Sequence, residues 1–447
     1  MRETVTIREY GVVSEGKLNL PYNSYSKEID EESFDSIVKY IEENNNEDHE
    51  KAFMIFRKRN RRHIRVKNYV GTIETKTKTL LEILPKIEDE QRKDLPQDQS
   101  KKILRRMLKS LKNSPYISLG QASLESEKNF PIFEIFILNY LNELSVLINK
   151  GLKSEYITNE ENIPYLRGKF LVKQNIKFNS ILKSRFYCEY SSFNLNIPPN
   201  KLIKSCLNHF KRLTRSLKNK NLIIKLLSFF DEIDLSSDIN TDIKYCFTNT
   251  KTLTNYGNLI SWSEVFLSNK SFTNFHGKHI NQAILFPMEK LFESYVAYTL
   301  KKYGGSLEIN AQDKKYSLVS QKKDENDFNF SVNKFNLKPD IVINSDQIII
   351  DTKWKVISEF SNKFDIKEAD VYQMHAYGKR YQEGNSSNRA PRLCLLYPKT
   401  SRFSEKLYQM RFGEDLLLDV IPFDLLNDPE KEIQQLLSTL TTHDLSQ

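Results

Sequence analysis

Glycine and proline are scarce, 13 and 14 among 447 residues, which excludes long flexible or low-complexity tracts. Cysteine is scarcer. Cys188, Cys206, Cys246 and Cys394 are widely scattered, with no Cys-x-x-Cys pair and no histidines at zinc-ligand spacing, so they predict free thiols in a reducing cytosol. Long apolar runs are missing too. The most apolar stretch, Ile132 to Ile148, is interrupted by Glu134, Asn139, Asn142 and Glu143 and reads as a buried helix rather than a membrane span. The opening MRETVTIREYG lacks the apolar core of a signal peptide, so a cytoplasmic chain without membrane contact is expected. There is no P-loop and no Gly-x-Gly-x-x-Gly after a strand, which argues against nucleotide hydrolysis by this chain itself.

What is present is a folded composition, 39% hydrophobic and 11% aromatic, with a formal charge of +9. The length suggests two or three domains. The positive charge suits a polyanionic partner, because lysines and arginines that neutralise phosphates release condensed counterions.

Residues 1–95 read as a β-rich domain, with runs at Val5 to Tyr10, Ala52 to Arg57, His63 to Val70 and Leu80 to Ile87. Arg57, Arg59, Arg61, Arg62 and Arg65 fall in a stretch without acidic residues, either a solvated hairpin or a contact for DNA or a partner protein. A mainly helical middle region is expected over 96–280. There Ile103, Leu104, Met107, Leu108 and Leu111 form a basic amphipathic helix, which either sits on DNA or packs its apolar face against the next helix. Tyr165 to Asn200 reads as short strands, Lys201 to Phe230 as helices, and Leu235 to Lys278 shows no clear period.

Over 281–447 the order is helix (Pro287 to Tyr303), strands (Leu307 to Asn310, Asp340 to Asn344, Gln347 to Lys355), helix (Lys367 to Gln382) and strand (Leu393 to Leu396). This order predicts an α/β domain with a mixed central sheet, in an α/β multidomain chain.

The stretch NLKPDIVINSDQIIIDTKWK, Asn336 to Lys355, carries the chemistry. Pro339-Asp340 opens one strand, a turn near Asn344 to Asp346 reverses the chain, and the next strand ends in Asp351-Thr352-Lys353. Side chains alternate along a strand, so Asp351 and Lys353 share a face. A divalent cation bridging Asp340 and Asp351 would compensate their burial, and hard oxygen ligands suit Mg2+ or Mn2+. Lys353 would then orient a water or stabilise charge in the transition state. The same residues also fit a plain surface ion pair. Glu293, on the preceding helix, is a candidate third ligand or an exposed charge. Gln373 and Tyr377 share a helix face with Asp370 and are aimed at the same place, whereas His375 lies off that face.

Proline-aspartate followed after ten residues by Asp-x-Lys resembles the PD-(D/E)xK nuclease superfamily, and QMHAY resembles the Gln-x-x-x-Tyr motif of its RecB-like branch. IREYG, YVGTIETKTKTLLEILPKI, YLRGKFLVKQNI, FPMEKLFESYV, KPDIVI, IIIDTKWK and DVYQMHAYGKRY, in order from residue 7 to about 381, resemble the McrC family, nuclease subunits of McrBC-type restriction systems. The resemblance implies a PD-(D/E)xK nuclease fold at the C-terminus and Mg2+-dependent cleavage of double-stranded, modified DNA. It also implies a McrB-like AAA+ GTPase ring as partner, engaged by residues 1 to about 280, with GTP handled only there. A freestanding repair or recombination nuclease and a non-catalytic adaptor of the ring are the alternatives.

Overall fold

The structure, a computed structural model, describes residues 4–16, 26–43, 52–58, 60–87, 95–110, 132–181, 183–248, 255–267, 280–322, 330–344, 347–384 and 389–441. The chain forms two compact units. Described residues of the first run to Ser110 and resume at Ile280, and those of the second lie between Ile132 and Leu267. No described helix is long and apolar enough to cross a membrane.

The N-terminal part of the first unit contains β1 (Thr4–Arg8), β2 (Val12–Glu15), β3 (Ser26–Ile29), α1 (Glu31–Glu43), β4 (Phe53–Lys58), β5 (Arg61–Val66), β6 (Tyr69–Thr75), β7 (Leu80–Leu84) and α2 (Gln97–Lys109). One four-stranded sheet runs β3-β2-β5-β4. Both β6 and β7 are buried along their whole length, because this second sheet is covered on both faces. Helix α2 puts Ile103, Leu104, Met107 and Leu108 into the interior.

The second unit begins with α3 (Ile132–Lys150) and a three-stranded antiparallel sheet of β8 (Glu155–Ile163), β9 (Lys169–Phe170) and β10 (Phe186–Asn194) in the order β8-β10-β9. Between the last two lies α4 (Val172–Asn179), where strands were expected. Helices α5 (Pro198–Leu213), α6 (Leu217–Leu227), α7 (Ile239–Thr248) and α8 (Gly257–Leu267) follow. Their core is aromatic: Phe210 meets Phe266 edge-on at 4.6 Å, and Tyr140 donates to or accepts from Ser263 at 2.7 Å.

The C-terminal part returns to the first unit. It comprises β11 (Ile280–Pro287), α9 (Met288–Tyr303), β12 (Ile309–Ala311), β13 (Ser317–Lys322), β14 (Phe330–Asn336), β15 (Ile341–Ile343), β16 (Ile348–Thr352), α10 (Glu368–Gly384), β17 (Arg392–Pro398), β18 (Met410–Phe412), β19 (Leu416–Phe423) and α11 (Pro429–Thr441). Strand β11 completes the second N-terminal sheet, whose order is β1-β7-β6-β11. Gly71 permits the pairing: its φ is +136°, and a Cβ there would lie 2.0 Å from the Ile284 carbonyl oxygen.

Six strands form the mixed C-terminal sheet, in the order β12-β15-β16-β17-β19-β18. Strands β15 and β16 are an antiparallel hairpin, while β16, β17 and β19 run parallel. Helix α10 covers one face, with Met374, Tyr377 and Tyr381 packed on Ile349, Leu393, Leu395 and Leu418. Helix α9 lies by the other, where Phe292 meets Trp354 at 5.5 Å and Phe423 at 5.9 Å.

The mixed sheet and flanking helices agree with expectation, but the division of the chain does not. Residues 1–95 and 281–447 are not separate domains, since β11 ties them into one unit. Helix α2 belongs there too and packs on α9 and β7.

Candidate active site

The hairpin register builds the site. Ile341 pairs with Ile350, so one further step brings Asp340 opposite Asp351. Alternation places Asp351 on the α10 face with Ile349, and it is 1% exposed. The Asp340 carboxylate is fixed by Thr352, whose backbone N–H and hydroxyl both donate to its Oδ2, at 2.7 and 2.8 Å. The backbone N–H of Lys353 donates to the Leu396 carbonyl at 2.9 Å, so the parallel ladder continues through the lysine.

Lys353 Nζ forms an ion pair with the buried Asp351 Oδ2. The ammonium also donates to Gln373 Oε1 at 3.2 Å, and Gln373 Nε2 donates to the Tyr377 hydroxyl at 2.7 Å. Asp340, Asp351, Lys353, Gln373 and Tyr377 are thus brought together. His375 is exposed and stands against Phe412 at 5.2 Å, away from them.

Glu293 stays apart. Its Oε1 accepts from Gln312 Nε2 at 2.8 Å, and the backbone N–H of Gln312 donates to the Asp340 carbonyl at 2.8 Å. Among the described residues no three His, Cys, Asp or Glu side chains stand close enough to hold a metal ion. Gln312 connects Glu293 on α9 to the Asp340 strand. Neither Gln312 nor Thr352 carries a motif signal; the φ of +51° at Gln312 arises only on folding.

The electrostatics favour a cation. Burial, with the nearby Asp340 charge, raises the carboxyl of Asp351 to about 7, and the same two causes raise Glu293 to about 7. Burial also raises Asp340, against the opposing hydrogen bonds from Thr352. Burial works against the Lys353 ammonium, yet Asp351 and Asp340 carry its pKa above the ordinary lysine value. One ammonium therefore sits among carboxylates that repel one another. The donors are hard oxygens buried beside one another, and Asp340 and Asp351 fit a divalent cation such as Mg2+ or Mn2+.

The basic stretch forms the β4–β5 hairpin, with Arg57 opposite Arg62 and Lys58 opposite Arg61. Arg59 lies outside the described residues. Arg62 is not a free surface charge: it bonds Glu15 at 2.9 Å and Asp35 at 2.6 Å and covers the Phe34 ring. Arg65 lies over Phe56, 5.3 Å from its centroid, while Arg57, Arg61 and Arg65 are exposed.

The chain resembles one solved structure over nearly its whole length. A chain of the half-complex from a tetradecameric assembly of Thermococcus gammatolerans McrB AAA+ hexamers with bound McrC is 15% identical, with a TM-score of 0.66 over 98% of this chain and 100% of that one. A chain of the cryo-EM structure of the Thermococcus gammatolerans McrBC complex is 18% identical, with a TM-score of 0.47 over 68% of this chain and 88% of that one. No curated protein matches in sequence. Residues 64–398, well over half of the sequence, match the family described as McrBC 5-methylcytosine restriction system component, and the chain belongs to that family.

Proposed function

We propose that this chain is the DNA-cleaving subunit of a McrBC-like restriction system, with a PD-(D/E)xK nuclease site at the β15–β16 hairpin. The observation that carries the reading is Asp340 set opposite Asp351 with the Lys353 ammonium beside them.

Asp340 and Asp351, with Glu293 as a third donor once released by Gln312, would hold a divalent cation. When bound, that ion supplies Lewis-acid stabilisation of the charge developing on the scissile phosphate. The remaining work belongs to the side chains. A water oxygen attacks phosphorus in line as one P–O ester bond breaks; the attacking water gives up a proton and the leaving alkoxide takes one up, with solvent carrying the proton between them. Lys353, its pKa raised, stays protonated at neutral pH, so it acts as a donor to the phosphate oxygens rather than as a base. Gln373 aims that ammonium, and Tyr377 holds Gln373.

The partner in this reading is a McrB-like AAA+ GTPase ring and the substrate is double-stranded DNA carrying a modified base. Support comes from the family's description and from the fold shared with a chain of an assembly of McrB hexamers with bound McrC. GTP enters only through the ring. One observation favours a second reading, a non-catalytic adaptor: no ready three-carboxylate cluster exists among the described residues.

The deciding experiment is cleavage of 5-methylcytosine plasmid by the assembled complex with GTP and Mg2+, beside GTP turnover. Asp351→Ala and Lys353→Ala are expected to lose cleavage by about 10²-fold or more while the ring's hydrolysis is still stimulated. Cleavage at the wild-type rate by a folded Asp351→Ala variant sinks the site, and a wild-type complex that never cuts favours the adaptor.

A further inference from the structure

The IREYG segment has no part in the chemistry above, yet its glutamate reaches the nuclease hairpin. The Glu9 N–H donates to Leu84 at 2.9 Å, extending the β1–β7 ladder by one residue, and Tyr10 then takes a left-handed conformation, φ +61°. The turn drives the Glu9 side chain inward, where it is fully buried. Both its carboxyl oxygens face the indole of Trp354, whose Nε1–H lies 3.2 Å from Oε1 and 3.3 Å from Oε2. The backbone N–H of Lys86 donates to Oε2 at 2.9 Å, and fixes the carboxyl from the other side.

Trp354 is the residue after Lys353, at the end of the strand that carries Asp351. Its ring stands against Phe292, the neighbour of Glu293 on α9. One indole therefore touches the chain at two candidate site elements, and its single polar atom is anchored by the N-terminal sheet. A small cleft of about 40 Å³ flanks this contact, lined by Glu9, Tyr10, Lys86, Trp354, Lys355 and Lys399 among others.

We infer that Glu9, acting through Trp354, is a positioning residue of the nuclease site, which makes cleavage depend on the N-terminal sheet. The inference rests on the nuclease reading. Trp354 N–H without its acceptor is a buried donor left unpaired, and the indole would shift to find another partner. Lys353 and Phe292 would move with it, and displacements of this kind cost catalysis without removing any reacting group. Burial raises the Glu9 carboxyl to about 8, against its bonds to Lys86 and Trp354, so a neutral glutamine is a fair replacement.

The test uses the full chain assembled with its ring, and compares Glu9→Gln, Glu9→Ala and Trp354→Phe. Glu9→Ala and Trp354→Phe are expected to lower kcat for DNA cleavage by about 10²-fold, with DNA affinity and GTP turnover unchanged. Glu9→Gln, which keeps an acceptor, is expected to stay within about threefold of wild type. A purely structural role would lower the folded fraction instead, leaving kcat per folded molecule intact. If Glu9→Ala does not fold, Trp354→Phe decides, since it keeps a ring on Phe292 and removes the indole N–H. Wild-type kcat in folded Trp354→Phe overturns the inference, as does failure of a folded Glu9→Gln to recover. The two tryptophans of the chain, labelled with 5-fluorotryptophan, give a readout independent of cleavage. The Trp354 resonance is expected to shift in Glu9→Ala, and an unmoved resonance also overturns the inference. A wild-type complex that does not cut fails the nuclease reading; a cutting wild type with unaffected variants fails only this inference.

Discussion

The Tyr377 hydroxyl donates to the Lys338 carbonyl at 3.1 Å, which ties helix α10 to the segment leading into Asp340. Burial and the Asp351 charge raise this phenol to about 12, so it remains a donor across the working pH range. Tyr377→Phe cuts the chain of bonds from Lys353 through Gln373 to the Asp340 strand. Cleavage is expected to fall about 10–100-fold with little change in Tm, and Gln373→Ala should behave alike. Wild-type kcat in both variants would show that the relay has no part in aiming the lysine.

The carboxylates make a second prediction, about pH. Asp351 and Glu293 titrate near 7 when folded, well above their unfolded values, so the folded chain binds more protons over the intervening range. Raised acid pKa values give stability that is present at low pH and lost as pH climbs through the folded pKa. Metal-free protein should therefore show a Tm that declines from about pH 5 to pH 8, and Mg2+ should restore part of the loss at pH 8. The decline should be shallower in Asp351→Asn. A Tm indifferent to Mg2+ at pH 8 counts against these carboxylates as its ligands.

Charge reversal on the basic hairpin should distinguish two neighbouring arginines. Arg62→Glu would face Glu15 and Asp35, costing about 1 kcal/mol and a few degrees of Tm. Arg61→Glu is expected to weaken contact with DNA or the ring. A Tm unmoved by Arg62→Glu would contradict the paired role of Arg62.

Gly71→Ala tests the joint between the two ends of the first unit. Its methyl would have to displace the Ile284 backbone, in a left-handed conformation that alanine resists. A loss of about 3 kcal/mol or more is expected by denaturant melting. A near-neutral effect would mean that β6 and β11 separate at little cost.

The hairpin was legible because Pro339-Asp340 and Asp351-Thr352-Lys353 bound two short apolar runs, a pattern set by neighbours in sequence. Helix α10 was legible for the same reason, from its period. What escaped was set by distant residues. Ile280–Pro287 mixes asparagine and glutamine with apolar residues and becomes a strand only beside β6. Val172–Asn179 has strand-like alternation with lysine and still forms a helix. The metal ligands were read from residue types alone, and a type carries no information about Gln312, whose amide bonds Glu293. Arg62 looked like a surface cation because Glu15 and Asp35 are remote in sequence.

The closing of the β1-β7-β6-β11 sheet by a strand more than two hundred residues downstream orders events at the ribosome. Until Ile280–Pro287 emerges, β6 offers an open backbone edge, the kind of surface that invites aggregation. Asp351 and Lys353 are made later still. A ribosome that stalls midway thus releases a fragment with an open sheet edge and without the Asp340–Asp351 hairpin, so faulty synthesis burdens the cell's proteostasis first.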